Sequence, residues 1–106
     1  MHARVSRFVG LPPERIDRTL EQFEEDELPK LENQDGFRGV LVLVNRADGM
    51  ANAITFWDSE SNLRASEQAG ADARAAAVKT AEPSREPRVD RFQVVLHKEV
   101  EAETSA

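Results

Sequence analysis

The chain has 106 residues, 20 of them acidic and 14 basic, and no cysteine. That length makes one domain, burying roughly two thirds of the surface its unfolded chain exposes, enough for a core without covalent staples. The missing cysteines exclude disulfides, thiolate metal sites and a cysteine nucleophile, and the formal net charge of −6 argues against nucleic acid, which needs a basic footprint.

Cysteine-free usage fits a reducing cytoplasm. The acid gathers in residues 21–27 and at the C-terminal end, as on a solvated helix face. The opening MHARVSRFVG lacks the long apolar core of a signal peptide, and no apolar run approaches the roughly 20 residues that span a bilayer. A cytoplasmic protein with no membrane contact is expected.

In chain order, residues 1–8 read as a strand, with Ala3 and Val5 alternating with Arg4 and Ser6. Gly10 ends it. Leu11-Pro12-Pro13 opens a helix, where proline has no hydrogen bond to lose. Ile16, Leu20 and Phe23 form one apolar stripe, which Leu28 and Leu31 resume. Pro29 predicts a kink or restart, so the first helix covers 13–32 in two pieces, and Asn33-Gln34-Asp35-Gly36 stops it.

Residues 37–46 are the strongest strand. Val40, Val42 and Val44 point one way and Leu41 and Leu43 the other, as in a strand buried on both faces. Ala47-Asp48-Gly49 is a hairpin connection. The return strand, 50–57, sets Met50, Asn52, Ile54 and Phe56 against Ala51, Ala53, Thr55 and Trp57. Asp58 or Ser59 caps a second helix, small-sided and alanine-rich, with Gly70 as its expected break. After a loop at 82–87, a last strand is expected over 88–98, and residues 100–106 read as a frayed, disordered tail following a domain of 1–99.

The order β-α-β-β-α-β is the ferredoxin-like pattern, an α+β fold. Right-handed crossovers put both helices on one face of a four-stranded antiparallel sheet. The other face is too apolar to stand open, and a second copy packed sheet to sheet is the simplest cover, making a homodimer.

The order, the Val-Leu-Val-Leu-Val strand, Ile54-Thr55-Phe56-Trp57-Asp58-Ser59-Glu60 followed by Leu63, and Glu27-Leu28-Pro29-Lys30-Leu31 before Gly36-Phe37 resemble the dimeric α+β barrel superfamily, and within it the antibiotic biosynthesis monooxygenase-like domains. The resemblance covers about residues 3–98 and speaks for fold more than chemistry. It implies two sheets closed into a barrel at a dimer interface, and a ligand site between each sheet and its helices. It also implies that Trp57 lines that site. Haem-degrading relatives hold iron through a histidine on the second helix about ten residues past the tryptophan. Glu67 stands there in this chain, between Ser66 and Gln68, and no asparagine matches theirs near Ser6, so the haem reading does not carry over.

The candidate pocket residues are therefore Trp57, Thr55, His97 and Ser6. Trp57 reads more readily as core packing under the second helix. The small residues around it mean either close packing or a cavity. His97 is a proton carrier if its strand face, shared with Gln93 and Val95, points inward. His2 and His97 make no metal site, no serine–histidine–aspartate spacing is present, and Gly36, Gly39 and Gly49 form no phosphate loop. No cofactor and no metal are expected. The functional expectation is a dimeric protein of undetermined activity that binds a small apolar or aromatic ligand. The alternative is a cofactor-independent monooxygenase acting on an electron-rich aromatic or quinol.

Overall fold

A computed structural model describes residues 1–100. Apart from Val100, the tail expected at 100–106 lies outside the described residues. Strands β1 (His2–Phe8), β2 (Phe37–Asn45), β3 (Met50–Trp57) and β4 (Arg88–Gln93) form one sheet in the order β2-β3-β1-β4, each neighbour antiparallel. This is the ferredoxin-like sheet that the element order predicts. No helix among the described residues is long and apolar enough to cross a membrane.

Register sorts the two faces. Arg4 pairs with Thr55, Ser6 with Ala53 and Phe8 with Ala51. Val40, Val42 and Val44 pair with Thr55, Ala53 and Ala51 from the other side. Directly opposed residues point the same way, so these side chains share the face that the helices cover. Phe8, Leu11, Ile16 and Ala81 form one buried cluster there, and Leu31, Trp57 and Leu63 a second.

The first helix is α1 (Pro13–Gln22), a π-helical segment (Phe23–Glu27) and α2 (Leu28–Glu32). The division falls ahead of Pro29. Pro29 has no N–H to offer the carbonyl four residues back; the chain widens before it, and Leu28 N–H donates to the Phe23 carbonyl five residues earlier. The widened turn brings Leu31 into the core and buries Glu27 beside Lys30.

Two expectations are corrected. The second helix breaks at Ser66, between α3 (Glu60–Ala65) and α4 (Glu67–Ala81), and not at Gly70. Ser66 Oγ bonds back to the Leu63 carbonyl at 2.7 Å, a local bond that competes with the helical ladder, whereas Gly70 N–H keeps its helical bond to Ser66. Strand β4 ends at Gln93, not at residue 98, because β1 runs out: Gln93 faces His2, and Val94 N–H makes the last bond to the Met1 carbonyl. Within one chain the helices cover one face of β2, and Leu41 and Leu43 are 46% and 49% exposed on the other, the face for which a second copy is expected. The expected Ser59 cap is present, its Oγ accepting from Asn62 N–H at 3.1 Å.

Candidate functional site

Between the sheet and α1 and α4 lies a cavity with about 90 Å³ open to the centre of a water molecule. Its walls are mainly apolar: Leu20 and Phe23 on the first helix, Phe8, Val42 and Val44 on the sheet, and the alanines of α4. The small side chains Ala51, Ala53, Ala73 and Ala77 leave the space open. An apolar hollow with a few converging polar groups is the usual form of a small-molecule site.

The polar groups belong to Arg4, Ser6, Thr19, Thr55 and Arg74. Arg4 is the unexpected member. Its side chain rises from the inner face of β1 and is 2% exposed. Nη2 donates to the Leu63 carbonyl and to Ser66 Oγ, each at 2.8 Å, and sits 3.2 Å from Glu67 Oε1. The guanidinium carbon lies 5.6 Å from the centre of the Trp57 ring, within cation–π range. Nε and Nη1 are buried and have no hydrogen-bond partner.

Glu67 is the carboxylate of this cluster, and it is already engaged. Arg91 donates to both its oxygens, at 2.9 and 2.6 Å. These bonds, with the charge of Arg4 beyond them, hold the Glu67 pKa down to about 2. Burial works the other way on the arginines. Desolvation lowers the pKa of Arg4, partly offset by Glu67, and lowers that of Arg74, with the Arg4 charge adding to the effect. Arg74 Nη1 stands 3.5 Å from Ser6 Oγ, at the limit of a hydrogen bond. Two guanidinium groups thus face the cavity while the nearby carboxylate is shared with a third.

Of the residues singled out in the sequence, Ser6 and Thr55 line this cavity and Trp57 does not. Trp57 is fully buried behind Thr55, to whose Oγ1 its indole N–H donates at 3.0 Å. Its ring meets Phe37 edge-on at 5.5 Å. His97 lies beyond the end of β4 and stacks on Phe56 at 6.2 Å. Phe56 points away from Trp57, so His97 is on the open face of the sheet, across from the cavity. Arg4 and Arg74 were missed. The available signal was the two-residue period of β1, which puts Arg4 on the face of Ser6 and of the core residue Phe8.

No metal-binding group of three or more histidine, aspartate, glutamate or cysteine residues occurs among the described residues. Glu67 is tied to Arg4 and Arg91 as an ion pair.

No family model matches the chain, and no curated protein sequence does. Solved structures do match. A monooxygenase from the ActVA-Orf6 gene of Streptomyces coelicolor, in complex with nanaomycin D, superposes with a TM-score of 0.71 at 14% identity, covering 92% of each chain. An antibiotic biosynthesis monooxygenase superposes with a TM-score of 0.63 at 18% identity, over 91% of this chain and 100% of the other. A variant of MhuD holding two manganese protoporphyrin IX molecules per active site gives 0.65 at 17% identity, over 94% and 100%. Likenesses at such identities establish a fold, and the fold is that of the antibiotic biosynthesis monooxygenase-like α+β proteins, as the stretch from Ile54 to Glu60 led one to expect.

Proposed function

We propose that this protein binds a small, mainly apolar or aromatic molecule in the cavity between its sheet and helices, and does so as a cytoplasmic homodimer. The observation that carries the reading is the cavity itself: apolar walls, small side chains that keep it open, and polar groups from Ser6, Thr55, Arg4 and Arg74. Leu41, Leu43 and Phe92, each about half exposed on the open sheet face, support a second copy packed against that face. The cysteine-free sequence fits the cytoplasm.

Quenching of the single tryptophan by 1,4-naphthoquinone tests the pocket, with Ala77→Leu as a variant whose added side chain fills it. Saturable quenching that Ala77→Leu abolishes is the expected result. Quenching no greater than the absorbance of the quinone explains, or unaltered in Ala77→Leu, counts against the cavity as the site.

The second reading is oxygenation without a cofactor, favoured by the likeness to the Streptomyces coelicolor monooxygenase. A quinol and O₂ would give a hydroxyquinone and water: the substrate supplies the electrons, one oxygen atom enters the ring and the other leaves as water. The protein would supply shape, a dry site and cations beside the quinolate. The titratable side chains lining the cavity are the two arginines, and neither is a base at neutral pH, so binding stands as the first reading. Oxygen uptake with 1,4-naphthoquinol, matched by hydroxyquinone formation above the uncatalysed rate, would raise the second above it.

A further inference from the structure

We propose that the cavity selects ligands carrying an ionised oxygen, of the aromatic enolate or phenolate class with a carbonyl oxygen beside it, and that Arg4 and Arg74 are the residues that recognise it. This rests on the reading of the cavity as a ligand site and names the chemistry of what it takes.

The argument starts from Arg4. A buried guanidinium is costly unless its donors are used. Here Nη2 is engaged, while Nε and Nη1 have no partner. Fold stability gives only part of a reason for a cation at this place, because two of the three groups that Arg4 serves have another donor, Ser66 Oγ being the third. The Leu63 carbonyl accepts from Ser66 Oγ, and both oxygens of Glu67 accept from Arg91. Helix α4 carries a glycine where the guanidinium meets it, since a β-carbon on Gly70 would lie 2.6 Å from Nη1. The chain thus makes room for a buried, incompletely paired cation at the edge of an apolar cavity.

Arg74 adds a second cation to the same cavity. Its one side-chain contact there is the long approach to Ser6 Oγ. Glu67 cannot neutralise both guanidinium groups, being held by Arg91 and Arg4. An anionic oxygen in the cavity would be drawn to the two cations that line it, and a guanidinium fork suits two neighbouring acceptor oxygens better than one. The remaining apolar walls suit an aromatic body. An acidic oxygen on a planar ring system meets both conditions.

The test uses a matched pair of probes on the purified full-length chain. 2-Hydroxy-1,4-naphthoquinone is ionised at neutral pH; 1,4-naphthoquinone has the same ring system and no charge. Without cysteines, quinone addition to thiols does not interfere. Calorimetric titration at pH 7 should show the anion binding about tenfold or more tightly than the neutral quinone, the size of one charge-assisted hydrogen bond. The preference should fall below about threefold in Arg4→Met and in Arg74→Gln, while affinity for the neutral quinone stays near that of the wild type. Should Arg4→Met fail to fold, Arg74→Gln carries the test. Equal affinity of the two probes in the wild type overturns the proposal and leaves the cavity reading in place. So does a preference that survives in folded variants. Binding of neither probe overturns both readings together.

Discussion

Gly70 and Arg4 are packed so closely that a β-carbon on the glycine would lie 2.6 Å from Nη1 of the arginine and 3.0 Å from its guanidinium carbon. In an open helix, glycine to alanine stabilises by about 1 kcal/mol. Here the new methyl group must displace a guanidinium held by Leu63 and Ser66. Gly70→Ala should therefore destabilise the wild type by about 1 kcal/mol, and the same change should stabilise an Arg4→Ala background by about 1 kcal/mol. Urea denaturation of the four proteins reads the coupling. Equal effects in both backgrounds would mean that Arg4 moves aside freely.

Trp57 gives a second prediction. It is fully buried among Leu31, Leu63 and Phe37, and its N–H is satisfied by Thr55. Removing so large a core side chain costs about 3–5 kcal/mol, comparable with the whole stability of a small domain, about 5–15 kcal/mol. Trp57→Ala should lose cooperative thermal unfolding. Trp57→Phe should lower the melting temperature yet bind naphthoquinones within threefold of the wild type by calorimetry, because the indole does not line the cavity. A Trp57→Phe protein with wild-type melting and no binding would instead place the indole against the ligand.

These two residues mark the limits of what the sequence discloses. Strands β2 and β3, their hairpin and the Ser59 cap were legible because they rest on local signals: two-residue alternation, a glycine turn and a capping side chain. The end of β4 was not, because Val94 and Leu96 continue the alternation and only the length of β1, far away in the chain, stops the pairing. The widened turn of the first helix left a trace, a step of five residues from Phe23 to Leu28 in an otherwise three-and-four stripe, just ahead of Pro29. In the cavity lining, Ser6 and Thr55 were legible. Arg4 was not, since an arginine in a strand ordinarily reads as facing water; its position in step with Phe8 was the better guide.

The Glu67 ion pair predicts an acid-sensitive contribution to stability. The carboxyl group has a folded pKa of about 2 against an ordinary value of 4.5. A depressed carboxyl pKa stabilises the fold fully above the ordinary value, and the stabilisation is lost as pH falls from about 4.5 toward 2. Since a third of the side chain is exposed, the contribution should be about 1–2 kcal/mol after solvent screening. Glu67→Gln should be less stable than the wild type by that amount at pH 7, and the gap should close between pH 4.5 and 2 in denaturation curves. A gap that stays constant with pH would remove the ion pair from the account.

Leu43 tests the proposed dimer. It projects from the open face of β2, opposite Asn52 on β3, and is half exposed. A charge there should cost the single chain within about 1 kcal/mol, because the side chain is only partly buried. Across a sheet-to-sheet interface the same charge would be desolvated without a partner, costing several kcal/mol. Leu43→Glu should therefore turn a dimer into a folded monomer in native mass spectrometry and sedimentation, with a melting curve that no longer depends on protein concentration. Leu41→Glu, one turn of the pleat away on the same face, should do likewise. The substitution Ala47→Glu, in the hairpin turn, should leave the dimer intact. If both leucine variants remain dimeric, the interface lies elsewhere, and the apolar face of β2 needs a different cover.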